Sequence, residues 1–489
     1  MRGEIVLLFN SLSFAVFLPI VFGLYWLTPG KFRWAILLIS SYIFYICWDV
    51  KFIALVLFVT GISYGCALLL QKSEKVSVRK LYLTATVLVC IGVLFVFKYF
   101  NFFADSFVSM MQLFGLSVSP IALKLLLPVG ISFYTFQALG YVIDVYRGKI
   151  QAQRHLGKYA AFVAFFPQLL AGPIARAEHL LPQICEPRSF RYDQATYGLK
   201  QMAWGFFKKI IIADTLAIYT DLVFGNIQSH TGFTLIAATV MFTFQIYCDF
   251  SGYSDIAIGC AKLFGIDLMN NFSVPYLSGS VKEFWSRWHI SLSTWFRDYV
   301  YIPLGGNRCS KMRHYLNLVT TFAVSGLWHG ASWTFVIWGI LHGVGQVVEN
   351  LFTKGKKLKS LKDRITVAAL LRTGLVFCFC SAAWVFFKAS SLQDALYVFT
   401  HSLEGIASPV AYLSNGLTAM TLTKDRCIDI ALMFLTLVAF DCFSLRTDVI
   451  RKIGKLPLVL RWAIYIVFLF LMLYLLPYKA GGEFIYFQF

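Results

Sequence analysis

Residues 325–335 read SGLWHGASWTF. One histidine, His329, stands between Trp328 and Gly330, with apolar runs at 314–328 and 331–348 on either side. Why so greasy a stretch keeps an imidazole depends on what the rest of the chain is. Length alone, 489 residues, suggests roughly two to four soluble domains. Composition overrides that prior. The chain is 58% hydrophobic and 17% aromatic, and only 14% of it is charged, against about 25% in a soluble domain. Too little polar side chain remains to cover a water-facing surface, so the sequence describes a polytopic membrane protein.

The formal charge of +19 does not indicate nucleic acid as a partner. Its Lys and Arg stand in short clusters between apolar runs, as in the cytoplasmic loops of a membrane protein. The 11 cysteines are scattered, mostly singly in apolar contexts, and no C-x-x-C occurs. They are small core residues by this reading, not disulfides or metal ligands. The N-terminal MRGEIVLLFNSLSFAVFLPIVFGLYWLTPGK lacks an A-x-A-type cleavage site and has a long apolar part, which predicts a retained first membrane segment.

Apolar runs of spanning length recur at 5–28, 33–48, 52–70, 81–100, 232–250, 314–328, 331–348, 365–387, 427–443 and 459–477. With shorter or broken stretches added, the expected fold is all-α and polytopic, with roughly 10–13 transmembrane helices. The chain reads as one membrane-embedded unit over 1–489: N-terminal helices in 1–110, a core in 120–350 and C-terminal helices in 360–489. Two segments are interrupted. LLLPVGISFYTFQALGYVIDVYRG carries Pro128, Gly130 and Gly140, and YAAFVAFFPQLLAGPIARAEHLLPQ carries Pro167, Gly172, Pro173 and Pro182. Broken backbone at membrane depth is tolerated only inside protein or along a water-filled cavity. These segments therefore predict re-entrant elements around a cavity, with kinked helices as the alternative.

The richest basic loops, 71–80, 146–158, 354–364 and 445–455, belong on the cytoplasmic side. Counting spans from them places both termini outside the cytoplasm and turns 389–424 outward. The stretch 280–313 differs from the rest. Trp285, Trp288, Leu292, Trp295, Phe296 and Tyr299 form one stripe at helical spacing, and Glu283 and Arg287 are an i,i+4 pair,. The expectation is an amphipathic helix in the membrane interface, ended by Pro303, Gly305 and Gly306.

Of the 8 histidines, His155, His179, His230, His314 and His401 lie in loop, basic or external contexts and read as solvated or interfacial. His289, beside the aromatic stripe, His329, and His342 in WGILHGVGQ are the ones with chemical interest. An ionisable group at membrane depth costs about 2.5–3.5 kcal/mol for charged types and normally faces a bundle interior or cavity. Gly326 and Gly330 around His329 permit close approach of a second backbone or a substrate. From the residues alone His329 has three readings: a structural histidine at a helix interface, a step in a proton or ion path, or a general base. There is no Gly-rich phosphate loop, H-E-x-x-H, G-x-S-x-G elbow or metal cluster in the sequence. Few intramembrane carboxylates are available, Asp249, Asp255 and Asp441, which argues against an ion-coupled transporter.

LPVGISFYTFQALGYVIDVYRG, FFPQLLAGPIARAEHLLPQ, YCDFSGYSDIAIG, NFSVPYLSGSVKEFWSRWHISLSTWFRDYVYIPLGGNR, SGLWHGASWTFVIWGILHG and the terminal FIYFQF together resemble the membrane-bound O-acyltransferase family. Within it they resemble the bacterial branch of alginate and related polysaccharide O-acetyltransferases. The blocks stand in the family's order over most of 10–348; over 350–480 only apolar character matches. The resemblance implies helices around a central funnel, with His329 as the family's essential histidine and His289 as its second motif histidine. It implies acyl transfer from a thioester, with acetyl-CoA the expected donor substrate and no bound cofactor or metal. It further implies an acceptor polysaccharide outside the cytoplasmic (inner) membrane, reached through an extracytoplasmic partner of the SGNH esterase-like type.

A neutral imidazole suits removal of a hydroxyl proton during attack on a thioester, and burial favours the neutral form. Candidate substrate-binding or oxyanion donors are Trp328, Trp333, Tyr253, Ser325 and Ser332. Arg147, Lys149, Lys208, Lys209, Arg308 and Arg313 are candidates to attract the donor's phosphates, with simple positive-inside anchoring as the alternative. Close alternatives in cargo are D-alanyl transfer to teichoic acids from a carrier protein and peptidoglycan O-acetylation. A transporter or channel is the alternative of a different class.

Overall fold

The computed structural model describes residues 7–119, 122–354, 358, 360–476 and 484–485. The terminal residues whose side of the membrane the basic loops predict, and part of the basic loop 354–364, lie outside the described residues. All regular structure among the described residues is helical. Seven of these helices are long and apolar enough to cross a membrane: Val50–Lys72, Val76–Leu113, Phe233–Leu263, Trp333–Thr353, Val367–Lys388, Lys424–Ser444 and Leu458–Leu475. The shortest, 18 residues, is about 27 Å long at 1.5 Å per residue, close to a hydrocarbon core of about 30 Å. Three other apolar stretches marked in the sequence form shorter or more polar helices, Leu12–Leu27, Arg33–Ile46 and Lys311–His329.

Local chemistry sets several starts. Ser11, Thr366, Ser391 and Thr423 each accept a backbone N–H from the first turn of the helix that follows,. The faces of the last helix leave Val459, Phe470 and Leu473 exposed. Large apolar side chains standing outward along a whole helix fit lipid rather than water as the surrounding solvent. The chain is a multi-pass membrane protein.

The chain divides into two compact units. The first holds residues to Leu199 with Ile256–Met269. Both interrupted segments lie here. The second breaks into the short helices Leu156–Val163, Phe166–Leu169 and Ala177–Cys185. Its freed backbone is held by buried side chains. Phe166 N–H donates to Ser41 Oγ at 3.0 Å, and Gln137 Nε2 donates to the Phe162 carbonyl at 2.6 Å. Gln168 Nε2 then donates to Gln137 Oε1 at 2.9 Å. Gly130, at φ +76°, starts Ile131–Tyr146 and leaves no room for a Cβ against the Leu169 carbonyl. The broken stretches are thus satisfied within protein, as buried backbone must be.

The second unit holds Lys200–Asp255 and Asn270–Phe489. Its core is aromatic, built on Trp204, Phe207, Phe242, Trp288, Trp338 and Trp384. Here the stretch 280–313 departs from expectation. It is not one amphipathic helix in the interface. Val281–Arg287 and Ile290–Phe296 are separate helices, and His289 between them is left-handed at φ +43°. Backbone bonds to the preceding loop hold the break: Ser273 N–H to the Arg287 carbonyl and Ile290 N–H to the Asn271 carbonyl, both 2.9 Å. Trp285, Trp288, Leu292, Trp295, Phe296 and Tyr299 are all buried, so the stripe packs into protein.

Lys311–His329 and Trp333–Thr353 form a tight helical hairpin. A Cβ on Gly326 would collide with the Phe335 carbonyl, and one on Gly339 with the Phe322 carbonyl. Small residues let the two backbones touch, the usual device of membrane helix pairs. Overpacking such a contact typically costs about 1–3 kcal/mol. Gly339→Val is expected to lower the yield of monodisperse protein in fluorescence-detected size exclusion and to lower its melting temperature. Gly374→Val, where nothing lies within 4 Å of the added Cβ, should change neither.

Candidate active site

His329 is the last residue of Lys311–His329, and the hairpin returns Trp338 to face it. The imidazole is 2% exposed. Aromatic rings wall it: Trp328 and Trp338 at 5.0 Å and Phe387 at 5.6 Å between centroids. His289 stands 6.3 Å away, too far for a direct bond between the rings but a gap that one hydroxyl or water can bridge. The left-handed backbone at His289 points its ring to this place, where it packs on Phe250 at 4.5 Å and Trp328 at 6.1 Å.

His289 is fully buried, and its Nδ1 lies 3.1 Å from Asn271 Oδ1. It lies outside the seven spans. Burial pushes its pKa down to about 3, so the ring is neutral at physiological pH.

His342 is also fully buried, one turn beyond Trp338. Phe284, Trp285, Trp338 and Phe379 surround it at 6.0, 5.1, 5.1 and 5.4 Å. Among the described residues neither of its ring nitrogens has a hydrogen-bond partner. Trp338 therefore packs on two imidazoles, His329 at 5.0 Å and His342 at 5.1 Å.

A cavity of about 660 Å³ is lined by near chain neighbours of the pair, and neither histidine is among its described lining residues. Its lining includes Ile290, which follows His289, and Ser325, one turn before His329. The lining also includes Lys282, Arg297 and His314, and no carboxylate side chain is among its described residues. Arg297 leans on Asp298 just outside, at 2.8 Å. A volume of this size lies in the range of ligand pockets.

Of the residues singled out in the sequence, the structure gathers His289, Trp328 and His329. Ser325 lines the cavity. Tyr253 is two rings removed: it stacks on Phe484 at 4.7 Å, which packs on Phe250, which packs on His289. Trp333 is 52% exposed at the start of its helix, and Ser332 caps that helix by accepting Thr334 N–H at 3.3 Å. Lys208 and Lys209 are not available to a phosphate. Both are buried: Lys208 pairs with Asp255 at 2.6 Å, and Lys209 with Asp249 at 2.6 Å and Asp214 at 2.8 Å. A buried cation needs such partners to be tolerated. Asp441, the third intramembrane carboxylate, accepts Tyr247 OH at 3.0 Å.

Sequence reasoning passed over Asn271, which lies in a loop with no periodic pattern, and over the lining residues Lys282 and Arg297. It also treated Phe484 and Ile485 only as part of a terminal block. Ile485 N–H donates to Asp249 Oδ2 at 2.7 Å, which ties this segment to the ion-pair network.

Comparison with known proteins finds a match to the model of the membrane-bound O-acyltransferase family over residues 151–392. The chain is 42% identical over 382 residues to the probable alginate O-acetylase AlgI of Azotobacter vinelandii, covering 78% of this chain and 74% of that protein. It is 34% identical over 454 residues to the peptidoglycan O-acetyltransferase of Helicobacter pylori, covering 86% and 82%. It is 31% identical over 283 residues to the teichoic acid D-alanyltransferase of Streptococcus thermophilus, covering 54% and 67%.

The burial of His289 carries a pH dependence. In the unfolded chain histidine titrates near 6.5, about the ordinary value, whereas in the folded chain His289 holds no proton until about pH 3. Between those limits the unfolded state binds more protons. Its contribution to stability is whole above about pH 6.5 and is lost progressively as pH falls toward 3. The melting temperature of the detergent-solubilised protein should fall on acidification through this window, and less steeply in His289→Gln. Equal slopes for the two proteins would contradict the assignment.

Proposed function

The chain belongs to the membrane-bound O-acyltransferase family, and from that premise we propose that it passes an acetyl group from a cytosolic thioester across the membrane for O-acetylation of a cell-envelope polysaccharide. That it is an O-acyltransferase follows from the family and from its acetyltransferase relatives. Acetyl-CoA is the donor in this reading, the inner membrane is the location, and an extracytoplasmic SGNH-type partner completes delivery to sugar.

The observation that carries the reading is the buried pair of His289 and His329, whose chain neighbours Ile290 and Ser325 line a cavity that also has the cationic Lys282 and Arg297 in its lining. The cavity takes the thioester arm. Lys282 and Arg297 meet the donor's phosphates, the role that the paired Lys208 and Lys209 cannot fill. His329 accepts the proton of the attacking hydroxyl as its oxygen bonds to the acyl carbon. The carbon–sulfur bond then breaks, and the proton passes from the imidazolium to the departing thiolate. Ester and thiol are the products, and no further reactant is needed.

General-base help of this kind is worth typically about 10²–10⁴-fold. The remainder comes from holding the reactants together out of water, which the aromatic walls of Trp328, Trp338 and Phe387 do here. Greater similarity to the acetyltransferases than to the D-alanyltransferase favours acetate as cargo.

The test is base-labile acetate on envelope polysaccharide in a deletion strain. Wild type should restore it, and His329→Gln at equal membrane level should not. Unchanged acetate in the deletion strain, with loss of D-alanyl ester instead, would overturn the acetyl reading. Near-normal transfer by His329→Gln would overturn the role of His329. The double variant Lys282→Gln, Arg297→Gln should raise KM for acetyl-CoA in membrane vesicles while kcat changes little; an unchanged KM would remove the cavity from the account.

A further inference from the structure

Asn271 is 1% exposed and sits where three donors converge. Its Oδ1 lies 3.1 Å from Ser291 N, 2.9 Å from Ser291 Oγ and 3.1 Å from His289 Nδ1. Its Nδ2 donates toward Ser254 Oγ at 3.4 Å.

The identity of the amide atom that faces this point does not depend on a choice of flip. A backbone N–H can only donate, so the atom facing Ser291 N is the oxygen. An amide oxygen can only accept. His289 Nδ1, which faces the same oxygen, therefore carries the hydrogen. In a neutral ring the other nitrogen, Nε2, then carries the lone pair. The left-handed backbone of His289 and the bond from Ile290 N–H to the Asn271 carbonyl hold the two residues in this register.

We propose that Asn271 is a positioning residue: its side-chain oxygen holds His289 as the Nδ1–H tautomer and so presents Nε2 as a hydrogen-bond acceptor beside His329. This rests on the reading of His289 and His329 as the reacting centre, and it assigns His289 a definite part there. His289 does not donate to the developing oxyanion. It accepts, and a hydroxyl has only one hydrogen to give: the attacking hydroxyl gives it to His329, while His289 Nε2 accepts from a water or a second donor group held between the rings, whose centroids are 6.3 Å apart,. Donors for the oxyanion come from other groups. The arrangement parallels the way a buried acceptor fixes the tautomer of a general-base histidine in hydrolytic triads. Here the acceptor is uncharged, which keeps the ring neutral in a dry site.

The experiment has a spectroscopic arm and a kinetic arm, both on the full-length chain in lipid nanodiscs. The ¹⁵N spectrum of histidine-labelled protein, with His289 identified by its loss in His289→Gln, should show a protonated Nδ1 and an unprotonated Nε2. Asn271→Ala should give a mixed or reversed tautomer, whereas Asn271→Asp, which retains the acceptor, should keep Nδ1 protonated. Ser291→Ala leaves the backbone donor in place and should leave the tautomer as it is. In acetyl transfer, Asn271→Ala should lose about 10²-fold or more in kcat with little change in KM, and Asn271→Asp should recover much of it.

A proton on Nε2 in the wild type would overturn the proposal. So would an unchanged spectrum and kcat in Asn271→Ala, or equal loss in the Ala and Asp variants at equal folded yield. The tautomer is read without any donor or acceptor. If His329→Gln still transfers acetate while His289 shows the expected tautomer, the reacting-centre reading fails and the structural assignment stands.

Discussion

The contact of two helix backbones at Gly326 and Gly339 sets the geometry on which the rest of the site depends. With no Cβ on either residue, Lys311–His329 and Trp333–Thr353 approach until one backbone rests on the other. The chain then turns through Gly330 and the Ser332 cap, and Trp338 comes back against His329 at 5.0 Å. A side chain at either glycine would move the indole and the imidazole apart. In a membrane, where lipid is as apolar as the helices, contact of this kind replaces the hydrophobic effect as the force that holds helices together.

That frame lets polar groups lie deep in the second unit, each held by protein. Lys208 and Lys209 are held by Asp255, Asp249 and Asp214, Tyr247 by Asp441, and His289 by Asn271. His342 is the contrast. It lies in a box of rings, and neither nitrogen has a hydrogen-bond partner among the described residues. A buried polar group in that state costs roughly 1–3 kcal/mol. The box itself packs on Trp338, so His342 and His329 share one wall.

Much of this was legible in the sequence because its signals are local. Apolar run length gave the spanning helices, and glycines beside a histidine in a long apolar run marked His329. The break at His289 was not legible. Trp285, Trp288, Leu292, Trp295 and Tyr299 fall at helical spacing whether the helix is continuous or not, and only the bonds to residues 271 and 273 end it. Asn271 lies 18 residues from its histidine, and no periodicity reports such a pair. Lys208 and Lys209 read as candidates to attract the donor's phosphates because the sequence does not show the carboxylates packed against them. Trp333 read as part of the site from its nearness in sequence to His329, yet helix geometry turns it outward, 52% exposed.

The central claim is that acyl transfer takes place between His289 and His329. It is tested most directly by an alkylating acetyl-CoA analogue, a halomethyl ketone in place of the thioester, applied to the full-length chain and mapped by mass spectrometry. The account predicts one adduct per chain, on His329 or His289, suppressed by acetyl-CoA. Modification confined to other residues, or adducts on the two histidines that acetyl-CoA does not suppress, would contradict it.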